Sequence, residues 1–152
     1  MTSERGPGFP APRPKAGAAT AYDGRMRDSI SERLVAGIAG QDEAAIAACF
    51  AEDAEFRALI PPGLRERSGA AQAAGLISAW FGDSTELELL DTQTIEIEDK
   101  VRISYRFAGV EEGQPYTVEQ QLYCVMRDEK IERADLLCSG FRRTRLDSRL
   151  QK

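Results

Sequence analysis

The sequence predicts an α+β fold, with helices packed on one face of a curved sheet, on three observations. Its 152 residues fit a single domain at the usual size of roughly 150 residues. Up to Phe81 the apolar residues recur mostly at helical spacing, with one short alternating stretch between the second and third helices. From Leu87 onward the spacing is two, the mark of half-buried strands. Helices followed by a run of strands group as α+β rather than as alternating α/β.

Each element follows from its own signals. Ser29 to Glu32 is a capping-box pattern, and Ile30, Leu34, Val35 and Ile38 form one apolar stripe that Gly40 closes. Asp42 caps a second helix whose Ile46, Cys49 and Phe50 fall at i, i+3 and i+4, ending near Glu52 and Asp53. Phe56, Ala58 and Ile60 alternate with polar neighbours as a short strand that Pro61-Pro62-Gly63 stops. A polar loop with Arg65, Glu66 and Arg67 leads to Ser68, the expected cap of a third helix bearing Leu76, Ile77, Trp80 and Phe81, with Gly82 at its end. Strands then cover Leu87 to Leu90, Thr92 to Glu98, Val101 to Phe107, Tyr116 to Met126 and Ile131 to Phe141, joined by turns at Asp99-Lys100, Glu111 to Gln114, and Arg127 to Lys130.

Composition narrows the chemistry. Histidine is absent, so imidazole relays, Ser-His-Asp triads and His-ligated metals are excluded. Cys49, Cys124 and Cys138 stand far apart without a CxxC spacing and read as reduced, buried thiols; no metal and no cofactor is expected. Residues 1–27 read as a Pro/Gly-rich basic tail with five basic and two acidic side chains. The end of the chain is a second basic tail, residues 143–152, and from Arg142 onward five basic side chains face one acidic. With a total of -5, these ends leave about -12 on the body between them, residues 28–141. A body so acidic repels phosphates, which makes nucleic acid an unlikely partner. No apolar run reaches the roughly 20 residues of a membrane span and no signal-peptide core is visible, which points to the cytoplasm.

The run from Ala36 to Phe56 (AGIAGQDEAAIAACFAEDAEF), then Ser68-Gly-Ala-Ala, then Asp128 to Asp135 (DEKIERAD) resembles the nuclear transport factor 2-like superfamily, which includes ketosteroid isomerase and the SnoaL-like polyketide cyclases. The resemblance covers about residues 29–142. It implies a cone-shaped, strongly curved antiparallel sheet wrapped around three N-terminal helices in a domain of residues 28–142. An apolar pocket would lie at the open end, and dimers would form through the outer sheet face. The superfamily holds enzymes, binders and dimerisation modules alike.

Alternation assigns the pocket side. Val118, Gln120, Leu122, Cys124 and Met126 share one face, with Thr117, Glu119, Gln121 and Tyr123 on the other. On the last strand Ala134, Leu136 and Cys138 are expected inside, with Ile131, Arg133, Asp135 and Leu137 outside; a slip of one residue at the preceding turn would reverse this. The expected ligand-binding set is Phe56, Ala58, Trp80, Ile103, Leu122, Cys124, Leu136 and Cys138, with Glu132 near the mouth. Gln120, Tyr105 and, under the slipped register, Asp135 are the catalytic candidates. Tyr105 also reads as a core aromatic whose hydroxyl reaches water. A buried Gln120 needs either an internal partner or a ligand.

By the resemblance, the isomerase base falls at about Ala58, the oxyanion tyrosine at about Leu34 and the protonated acid at about Gln120, so two of the three are apolar here. Cyclase-type members often carry an aspartate on the last strand, where Leu136 holds the nearest inward position. The reading is therefore a cone binding a small hydrophobic, carbonyl-bearing molecule, with cofactor-free cyclisation, isomerisation or hydration as the chemistry in reach. The alternative is a non-catalytic dimerisation or partner-binding module whose interface is the outer sheet, including Arg102, Arg106, Glu119, Tyr123 and Asp135.

Overall fold

The computed structural model describes residues 30–143. The tail of residues 1–27, residues 144–152 of the second tail and the Ser29 cap lie outside the described residues, as does the expected boundary at residue 28; Arg143, expected to open the second tail, is instead paired with Tyr116 in the sheet. Helix α1 occupies residues 30–39, and its stripe Ile30, Leu34, Val35 and Ile38 is buried. Helix α2 spans Glu43–Ala47, capped by Asp42, whose carboxylate accepts from the Ala45 amide at 3.1 Å. Helix α3 spans Ala70–Phe81 and buries Ala73, Ala74, Ile77 and Phe81.

The strands are β1 (Phe50–Ile60), β2 (Gly63–Ser68), β3 (Thr85–Ile97), β4 (Lys100–Glu111), β5 (Gln114–Arg127), β6 (Lys130–Cys138) and β7 (Arg142–Arg143). They form one curved sheet in the order β2-β1-β6-β5-β4-β3, with β7 joined to β5. The α+β architecture with its three helices stands, but the sheet is mixed. β1 runs parallel to β6, with Phe56 beside Ala134 and Ala58 beside Leu136. Such a pair cannot be joined by a tight turn, and here β2, α3, β3, β4 and β5 make the connection.

Several expected boundaries move, each for a local reason. The second helix ends at Ala47, not near Glu52-Asp53, and the chain is already extended at Phe50. Cys49 and Phe50 satisfy helical and strand spacing alike, because both are simply buried. The polar loop after Pro62 is strand β2, antiparallel to β1 from Ile60–Gly63 to Glu55–Ser68. Its side chains give no apolar signal because an edge strand can be held through backbone bonds alone. Ser68 does not cap α3: the cap is Gly69, at φ +95°, and the Ser68 hydroxyl instead donates to Glu55 at 3.3 Å. The two stretches after Leu87 are the single strand β3, broken in register between Thr85 and Glu88 and between Leu89 and Asp91. The last long strand stops at Cys138 rather than Phe141.

Core packing follows the predicted alternation on β4 and β5. Val101, Ile103, Tyr105 and Phe107 are buried, as are Val118, Gln120, Leu122 and Cys124. Ile131, expected outside, is buried. The register shifts between Val125 and Met126, so that Val125 pairs with Arg133 and Met126 with Ile131. Glu132 is the extra residue, and a bulge of this kind carries the strand's face over by one position.

Candidate functional site

Among the described residues the interior and several surface cavities differ in polarity. One cavity, of about 520 Å³, is bordered by Phe50, Glu52, Arg127, Asp128 and Lys130 among others and mixes both signs of charge. The first place is the interior. Tyr105 and Gln120 are directly paired across β4 and β5, which puts their side chains on one face. The Tyr105 hydroxyl donates to Gln120 Oε1 at 2.7 Å, and Gln120 Nε2 donates to Cys138 Sγ at 3.3 Å. The Gly140 amide donates to the same sulfur, also at 3.3 Å. Tyr105 is 2% exposed and Gln120 0%. Burial pushes the Tyr105 phenol well above its ordinary value, so the hydroxyl stays protonated and serves as a donor. Its partner is the amide, where the sequence suggested water, and both ends of the Gln120 amide are engaged inside the protein.

Around this chain Phe56, Ala58, Ile103, Leu122 and Cys124 have no accessible surface, and Leu136 has 2%. Side chains without accessible surface are packed against protein; Phe56 also borders a cavity at the β2-β1-β6 end. Trp80 and Cys138 are partly exposed; the Trp80 ring lies 6.4 Å from that of Phe56. Thus the expected binding set is brought together, as a filled core with two members at its rim. Burial pushes the Cys124 thiol up to about 12 and raises Cys49 as well, which keeps both thiols protonated and inert.

No carboxylate joins that interior among the described residues; its buried polar side chains there are Ser31, Ser84 and Gln120. Asp135 faces outward and accepts from Arg57 Nε at 2.8 Å, while Glu119 pairs with Arg106 at 3.3 Å. The slipped register that would bring Asp135 inside is not adopted. Glu132, expected near the mouth, pairs with Arg127 at 3.3 Å. Arg127 also binds Asp53, which holds the Asp53 carboxyl below its usual value.

The second place is a cavity of about 400 Å³ at the β2-β1-β6 end, whose lining includes Glu55, Arg57, Glu66, Arg67, Arg133 and Asp135. Its cations and anions are equal in number and partly paired with each other, so it favours neither sign of ligand. No group of His, Cys, Asp or Glu with metal-holding geometry occurs among the described residues.

The third place is a cleft of about 460 Å³ between α1 and β3, lined by Ser31, Glu32, Val35, Ala36, Ala39, Leu89, Thr92, Gln93 and Thr94. Leu89, Thr92 and Thr94 pair across the ladder with Phe107, Tyr105 and Ile103, all buried, so they lie on the concave face. Val35 from the helix and Leu89 from the strand, which is 36% exposed, supply the apolar walls. Ser31 and Thr94 hydroxyls meet at 2.7 Å and pin helix to strand. A volume of this size lies within the roughly 300–1,000 Å³ of small-molecule sites. No periodicity or motif in the chain marks the cleft. Its walls are mostly Ala, Ser and Thr, and it arises from the spacing between two elements.

The sequence profile of the SnoaL-like domain matches residues 31–134. None of the curated proteins matches the chain. Among solved structures, a protein from Catenulispora acidiphila with a ketosteroid isomerase-like fold, in complex with trimethylamine, superposes with a TM-score of 0.60 at 20% identity, covering 70% of this chain and 82% of that one. A proposed polyketide cyclase from Xanthomonas campestris gives 0.61 at 19% identity over 84% and 96% of the two chains. The TsrD protein of Streptomyces laurentii gives 0.63 at 14% identity over 76% and 89%. At these identities the likeness is one of fold, and it agrees with the sheet order and helices described above. The profile match takes in most of the chain, and by it the protein belongs to the SnoaL-like family.

Proposed function

We propose that this SnoaL-like domain is a receptor for a small hydrophobic molecule, bound in the cleft between α1 and β3. The observation that carries the reading is the cleft itself: an apolar-walled space of ligand size on the concave face, beside a core that is already filled. The Gln120 amide, which in sequence argued for a carbonyl group on the ligand, is satisfied by Tyr105 and Cys138. That argument for a carbonyl therefore falls away. Cyclisation or isomerisation by proton removal needs a base beside the substrate and shielded from water; no carboxylate is buried in the described interior, and the carboxylate at the cleft, Glu32, stands exposed to solvent. Binding without turnover fits these residues best.

The test is protein NMR with 4-phenylbutanol as the probe. Amide shifts are expected at Val35, Ala36, Ala39 and Leu89. The variant Ala36→Phe, a change at an exposed helix position, should fill the cleft and weaken binding at least about tenfold, some 1.4 kcal/mol, with an unchanged unfolding midpoint. Shifts centred on Leu122 and Leu136 instead would put the ligand in the interior and overturn the cleft.

A second reading, a homodimer through the outer face of the sheet, is favoured by a separate observation. Leu59 is the cross-strand partner of both Leu64 and Leu137, and the three are 52%, 54% and 47% exposed. Three half-exposed leucines in one row across three strands form the kind of apolar patch that a second copy would cover. Sedimentation should then show a dimer that Leu59→Arg dissociates. A wild-type monomer throughout the micromolar range would refute it.

A further inference from the structure

We infer that the α1–β3 cleft selects an organic cation: a small apolar body carrying an ammonium or guanidinium head. This inference rests on the proposed cleft and goes on to name the head group.

Among its described lining residues the cleft holds one ionisable side chain, Glu32, and neither Lys nor Arg. Glu32 stands on the exposed side of α1, at the cleft's rim. Among the described cations, Arg33 acts on Cys49, where it partly offsets the rise that burial causes, and Arg102, on the outer face of β4, donates to the cleft-lining Gln93 Oε1 at 3.0 Å, at the edge of the cleft away from Glu32 on α1. Strand β3 itself carries Glu86, Glu88, Asp91 and Glu96 and no basic residue between Thr85 and Ile97.

The remaining polar groups agree with this sign. Ser31 and Thr94 bind each other, yet each hydroxyl oxygen keeps lone-pair capacity for a further N–H donor. An anion in the same place would meet a carboxylate without a cation among the described lining residues, and the strongly acidic body adds a long-range field that repels it. A neutral donor gains the apolar contact with Val35, Ala36, Ala39 and Leu89 and a hydrogen bond to the hydroxyl or carboxylate oxygens. A cation gains the same contacts and, in addition, the coulombic attraction of an ion pair with Glu32.

Three compounds with one apolar body separate the possibilities: 4-phenylbutylamine, 4-phenylbutanol and 4-phenylbutyrate, titrated into the full chain by NMR at pH 7. Because Glu32 is exposed, the gain is that of a surface ion pair. The amine should bind about three- to fivefold more tightly than the alcohol at low salt, and the carboxylate weakest. The gap should close as ionic strength rises toward about 1 M, where charges are screened within about 3 Å. Glu32→Gln should bring the amine to the alcohol's affinity and leave the alcohol unchanged. If amine and alcohol bind equally, with shifts at Val35, Ala36 and Leu89, the head-group inference is overturned while the cleft stands. If none of the three shifts those residues, the cleft reading fails with it.

Discussion

Replacing Gln120 by Glu should destabilise the domain by about 3–5 kcal/mol at pH 7 and by little near pH 4. The side chain at this position has no exposure, accepts from Tyr105 and donates to Cys138. A neutral carboxylic acid can reproduce both bonds, accepting on one oxygen and donating from the other. A carboxylate cannot, and it would lie in apolar surroundings without a cation. Buried Glu residues of this kind reach pKa values of about 8–9 against about 4.3 unfolded. With the folded pKa raised, the native state holds the proton that the unfolded chain releases. The variant is therefore close to wild type below about pH 4 and loses stability progressively as pH rises through the folded pKa. Urea unfolding of wild type, Gln120→Glu and the shape control Gln120→Leu between pH 4 and 8 reads this directly. A pH-independent gap would mean that water or a cation reaches the site.

The second large effect is expected from Phe107→Ala, at about 3–5 kcal/mol. Phe107 is fully buried and its ring sits 5.6 Å from both Phe81 and Tyr105, which joins α3 to β4 at the centre of the core. Denaturant unfolding should show a lower midpoint with an unchanged slope. Leu137→Ala on the exposed face should stay within about 0.5 kcal/mol, and equal losses at the two positions would contradict the assigned faces.

Why some of this was legible in the sequence and some was not comes down to what each residue touches. The faces of β4 and β5 were legible because each has one buried side, and that forces a period of two on Val101 to Phe107 and on Val118 to Cys124. The same pattern put Glu119 and Asp135 outside, where their arginine partners are found. Strand β2 was hidden because its bonds to β1 are made by the backbone, which leaves Arg65, Glu66 and Arg67 looking like a loop. Ile131 was misplaced because a bulge is a register event that side-chain alternation does not encode. Of the predicted site, Tyr105, Gln120 and Cys138 do meet, but as a closed hydrogen-bond chain rather than an open one. The partner of Gln120 lies 15 residues away on one side and 18 on the other, beyond what local spacing reveals.

The parallel union of β1 with β6 sets a timetable for the growing polypeptide. Phe50 waits for Ile131, and Leu59 for Leu137, so about eighty residues must leave the ribosome before the β1-β2 hairpin can dock on its neighbour. Contacts of such span are costly to close and slow to form. Until then the edge of β1 that takes β6 has unpaired backbone groups on the nascent chain, the interval in which a chaperone would hold it.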